Sequence, residues 1–178
     1  MEQNTAIWVL IALALVAANA PFVSQRAFIV LPWQLPNTTS RSLSGRLLFF
    51  VVFLALVAFW LWLVHVLISS APPVSDFSSA VSFFLRLLLI TVGAVAVLAL
   101  PGWRAPIEVD KPTVMRVLEL LLFYLMVGAI GFAFESSLMN PFPKNWEFFV
   151  ITGSLYLVLG YPGFVYRYLY RRRRRRPQ

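Results

Sequence analysis

Residues 114–134 read VMRVLELLLFYLMVGAIGFAF, an apolar run whose only charges, Arg116 and Glu119, stand in its first turns. A helix needs about 20 mostly apolar residues to cross about 30 Å of hydrocarbon, and this run has that length. Working outward, similar uncharged or nearly uncharged runs cover about 5–22, 47–68, 77–100 and 146–166. Proline and glycine separate them: Pro32 and Pro36, Pro72 and Pro73, Pro101 and Gly102, Pro141 and Pro143. The gaps are too short for a soluble domain, so residues 1–178 form one helical membrane domain. The expected fold is an all-α integral membrane protein with five transmembrane helices.

Composition agrees, with 60% hydrophobic and 12% charged residues over 178 positions. The formal net charge of +8 is concentrated in the basic tail, residues 171–178, and does not describe a nucleic-acid-binding face. No cysteine and one histidine, His65, exclude thiol chemistry and any multi-histidine metal or haem site. Glycine-rich phosphate loops, catalytic triads and metalloprotease spacings are absent, so neither an enzyme nor a cofactor is expected. The first span ends in Ala18-Asn19-Ala20, which imitates a signal-peptidase site. Glu2 ahead of it, the lack of a basic residue there and Pro21 behind it favour a retained helix.

Lysine and arginine are enriched in cytoplasmic loops, and this sets the expected orientation. With the N-terminus outside and the C-terminus inside, Arg26, Arg41, Arg46, Arg104, Lys111, Arg116, Arg167 and the tail all fall on the cytoplasmic side of a bacterial inner membrane. Only Lys144 falls outside, while Arg86 lies within the third span and the 69–79 loop carries Asp76 without a basic residue. Arg171, Arg172, Arg173, Arg174, Arg175 and Arg176 follow Tyr166, Tyr168 and Tyr170, an aromatic belt. Each arginine near an anionic leaflet adds about 1 kcal/mol of attraction, so the tail reads as an anchor on anionic lipid.

Ionisable groups at bilayer depth are costly and therefore candidates for function. Arg86, His65, Glu135 and Glu147 all fall near the outer ends of their spans. The expected arrangement pairs Arg86 with Glu135 or Glu147, with His65 nearby, either to fix packing or to begin a proton or ion path. Glu119, one turn inside the fourth span, either pairs with Arg116 three residues earlier or faces a partner or a water-filled cavity. Asn19 and Thr152 are expected to make interhelical hydrogen bonds. Ala14 and Ala18, Gly128 and Gly131, and Gly153 and Gly160 are expected to mark close helix packing. Pro162-Gly163 should kink the last helix or end its regular course.

The strings IWVLIALALVAANAPFVSQRAF, VLELLLFYLMVGAIGFAFES and FPKNWEFFVITGSLYLVLGYPGFVYRYL resemble domain-of-unknown-function family 2818, small proteobacterial inner-membrane proteins. The likeness covers about 7–31 and 112–170. It implies that Asn19, Pro21, Arg26, Glu119, Tyr124, Gly128, Gly131, Glu135, Trp146, Glu147, Pro162 and Gly163 are recurring features. It also implies a three-span relative into which this chain inserts a two-helix hairpin, at about 36–109, that carries Arg86 and His65. Genes of that family often lie beside those of respiratory complex I. By association, the resemblance implies a non-enzymatic accessory or assembly partner of that complex. The alternative is a small oligomeric transporter or channel component in which Glu119, Arg86 and Glu135 line a path.

Overall fold

The computed structural model describes residues 3–32, 42–69, 76–103, 111–137 and 143–170. The chain forms α1 (Gln3–Val23), α2 (Leu43–Val64), α3 (Phe77–Trp103), α4 (Thr113–Ser137) and α5 (Trp146–Val165). Short π-helical turns, His65–Ser69 and Tyr166–Tyr170, extend α2 and α5. Among the described residues there is no strand, and 5 helices are long and apolar enough to cross a membrane. Their bounds follow the expected spans closely. One boundary differs: α3 runs through Pro101 and Gly102 to Trp103, where a turn was expected. Proline removes only its own amide from the ladder, and near a helix end that loss leaves just one carbonyl without its helical donor.

The helix α4 is the centre of the bundle, with 50% of its span buried against 17% for both α3 and α5. It meets α1, which also runs along α5, and it meets α2 and the turn that follows α2. The helices α2 and α3 pack as a hairpin. Apolar side chains therefore point both ways. Ala17, Phe22, Leu120, Phe123, Val127 and Tyr156 fill the space between α1, α4 and α5, while Phe53, Trp60, Phe83, Met126 and Phe134 join the hairpin to α4.

Two close approaches set the spacing. In the hairpin, the Trp60 indole Nε1 donates to the Ile90 carbonyl at 3.0 Å. Gly93 makes room for that ring, since a Cβ there would lie 3.2 Å from Trp60 Cδ1. Between α1 and α5, a Cβ on Gly160 would lie 3.1 Å from the Ala18 carbonyl oxygen. Small residues at such a crossing let two backbones meet and gain dispersion contacts that lipid would otherwise supply. The other small residues are used differently. Gly131 lies against Leu10 and Gly153 against Tyr124, Ala14 is half-buried, and Gly128 faces open space.

Because the obstacle at position 160 is backbone, Gly160→Leu must push α1 away from α5. A lowered thermal midpoint of the purified protein in detergent is expected, with Gly153→Ala close to wild type; equal midpoints for Gly160→Leu and wild type would contradict the close crossing.

Candidate functional site

Polar groups gather where α1 ends, α4 begins and α5 ends. Two of them, Arg116 and Glu119, stand three residues apart on α4 and so share a face. Both are closed off, with 2% and 0% exposure.

Arg116 caps α1. Its Nη1 donates to the carbonyls of Pro21 at 3.0 Å and Phe22 at 3.4 Å. The last carbonyls of a helix have no intrahelical donor and carry the negative end of the helix dipole. A buried guanidinium there is both neutralised and hydrogen-bonded.

Glu119 holds the segment that follows α1. Its Oε1 accepts the backbone N–H of Phe28 at 2.8 Å, and its Oε2 accepts the Lys111 ammonium at 2.8 Å. Lys111 precedes α4, is 7% exposed, and stands 4.7 Å from the centre of the Phe28 ring. Burial lowers the Lys111 ammonium from the ordinary lysine pKa, while the charge and hydrogen bond of Glu119 pull it back up. Both oxygens of Glu119 are thus engaged.

Asn19 reaches from α1 into α5. Its Nδ2 donates to the Leu15 carbonyl at 2.7 Å and to the Leu159 carbonyl at 2.9 Å, and its Oδ1 accepts the Gly163 N–H at 2.6 Å. Leu159 and Gly163 are four apart, the acceptor and donor of one helical step, and the amide engages both. The step lies beside Pro162, which has no N–H and leaves the Val158 carbonyl without its usual donor. A side chain inserted at such a place accounts for a local irregularity, and the regular helix ends at Val165. Only glycine fits at 163, because a Cβ would lie 2.8 Å from Asn19 Oδ1. Nearby, the Thr113 and Tyr168 hydroxyls lie 3.2 Å apart and tie the start of α4 to the last turn.

Several expected pairs are corrected. Glu119 pairs with Lys111 and not Arg116, because the carbonyls at the end of α1 take the guanidinium. Arg86 pairs with neither Glu135 nor Glu147: its Nη1 donates to the Leu67 carbonyl at 2.9 Å, in the turn that ends α2. Glu135 instead meets Lys144 at 2.5 Å, since Lys144 stands one residue ahead of the Asn145–Trp146 start of α5 and beside the end of α4. His65 and Glu147 are exposed, one at the start of the turn after α2 and the other at the start of α5. Thr152 bonds the Tyr124 hydroxyl at 2.7 Å, joining α5 to α4. The six tail arginines lie outside the described residues.

Sequence reading passed over Lys111 and Phe28, because the first looked like one more interfacial basic residue and the second contributes only its backbone. The buried Tyr156 hydroxyl has no hydrogen-bond partner among the described residues, and nothing in the structure explains it. Among those residues no three His, Cys, Asp or Glu come together as metal ligands.

These features define a class: an all-helical bundle fit for multi-pass insertion, tied at one end by buried side chains that hold backbone. Within that class, the family described as protein of unknown function (DUF2818) matches residues 6–106 and 104–171, and the chain belongs to it. No curated protein and no solved structure matches the chain.

Removing one member of a buried ion pair costs about 3–5 kcal/mol, mostly from the charge left behind. Lys111→Met is therefore expected to lower the thermal midpoint strongly. Adding Glu119→Gln should recover most of the loss, since the amide oxygen still accepts from Phe28 without a charge. Losses that simply add would contradict the pairing.

Proposed function

We propose that the protein is a non-enzymatic accessory or assembly component of a larger membrane complex, with respiratory complex I as the partner. The observation that carries this reading is where the buried polar groups go. Glu119, Lys111, Arg116 and Asn19 each bind another part of the same chain. A bundle tied in this way suits docking, with apolar side chains such as Trp8, Phe77 and Val158 facing outward. The transporter reading needs Glu119, Arg86 and Glu135 on one path, whereas each has its own local partner.

The proposal places the chain in a proteobacterial inner membrane, N-terminus outside and C-terminus inside. The Glu119 end then faces the cytoplasm, and the arginine tail lies on anionic lipid. In this reading the α2–α3 hairpin is an addition to a three-helix α1, α4 and α5 unit. The hairpin packs on α4, whereas α1 packs on both α4 and α5, which supports that division.

Affinity purification of the tagged chain in mild detergent is expected to bring complex I subunits with it, and a deletion strain is expected to assemble less of that complex. A complex I that never retains the protein, together with normal assembly without it, would overturn the proposal.

A further inference from the structure

A cleft of about 400 Å³ opens between α1, α4 and α5. Ala14 of α1, Gly128 and Phe132 of α4, and Phe149 and Leu155 of α5 line it. Gly128 opens onto it: a Cβ at that position would meet nothing within 4 Å. Along α4 the lining runs from Tyr124 to Glu135, about 16 Å at about 1.5 Å per residue. One leaflet of a bilayer with a core of about 30 Å is about as deep.

Width then limits the occupant. A cleft of about 400 Å³ spread over about 16 Å has a mean cross-section of about 25 Å² along its α4 wall. Its length and narrowness suit one hydrocarbon chain. Along the wall the hydroxyls of Tyr124 and Thr152 are bonded to each other and to the Phe149 carbonyl, which leaves the buried Tyr156 hydroxyl as the one wall hydroxyl without a partner among the described residues.

Charge lies at the other end. Glu135 lines the cleft there and meets Lys144 at 2.5 Å, with both side chains partly exposed. The Lys144 ammonium lies 5.1 Å from the centre of the Phe132 ring and 5.9 Å from that of Phe148, both of which line the cleft. Among the described residues, this rim carries one cation, Lys144, and one carboxylate, Glu135. It complements a head group that carries both a phosphate and an ammonium, and it disfavours one with only negative charge.

We propose that the cleft binds one acyl chain of a zwitterionic phospholipid from the leaflet at the Glu135 end, with the phosphate on Lys144 and the ammonium toward Glu135. This site is independent of the complex that the protein serves, because retention is read on the purified chain alone.

The test exchanges the protein into bilayers of equal phosphatidylethanolamine and phosphatidylglycerol, extracts it in mild detergent and counts retained lipid by native mass spectrometry. One phosphatidylethanolamine per wild-type chain is expected, in at least about tenfold excess over phosphatidylglycerol. Gly128→Leu, which puts a side chain into the middle of the cleft, should lose that lipid with an unchanged thermal midpoint. Should Gly128→Leu fail to fold, Leu155→Trp narrows the same cleft from α5 and should give the same loss. Lys144→Gln should keep the fold and abolish the preference. Wild-type protein without bound lipid, equal retention of the two lipids, or full retention by the folded cleft-filling variant would each overturn the proposal.

Discussion

The carboxylate of Glu119 has to remain buried at 0% exposure, and the rest of this end of the bundle is arranged around that constraint. An unpaired charge in an apolar interior costs several kcal/mol. Lys111 supplies the opposite charge and Phe28 supplies a backbone donor. Satisfying Glu119 therefore fixes the segment ahead of α4 and the segment behind α1 at once. Those two segments are distant in sequence. Arg116 on the same face then holds the last carbonyls of α1, and Asn19 of α1 holds Leu159 and Gly163 of α5. The three helices are joined in a chain of contacts from α4 to α1 to α5.

A common device appears at both ends of the molecule. Arg116 caps α1, and Arg86 caps the turn that ends α2. Arg116 takes two carbonyls at the end of α1 and Arg86 takes one in the turn after α2, each in place of a carboxylate from another helix. The apolar medium explains the preference for such ties. Without water, orphan carbonyls are costly, and an arginine can satisfy two of them while its charge meets the negative end of a helix dipole.

The number of helices and their approximate bounds were legible because bilayer thickness imposes a length on any apolar run. The pairing of polar groups was not. Arg116 and Glu119 invited a local pair by their spacing, but the spacing rule compares neighbours on one helix and knows nothing of the open end of α1. Asn19 and Pro162-Gly163 each stood out alone, yet their contact joins opposite ends of the chain. Lys111 read as one of many interfacial cations. Glu135 looked free for Arg86 because Lys144, just before α5, was counted only for orientation. The close crossing at Gly160 was legible as a small residue, but its partner Ala18 could be found only once α1 and α5 were placed side by side.

Hydrogen exchange at the Phe28 amide tests the central role of Glu119 most directly. Phe28 lies outside any helix, so without its carboxylate partner the amide would exchange quickly. The account predicts protection comparable to the interior of α4 in the wild-type protein, and its loss in a folded Glu119→Ala variant. Fast exchange in the wild type, or equal protection in both proteins, would contradict it.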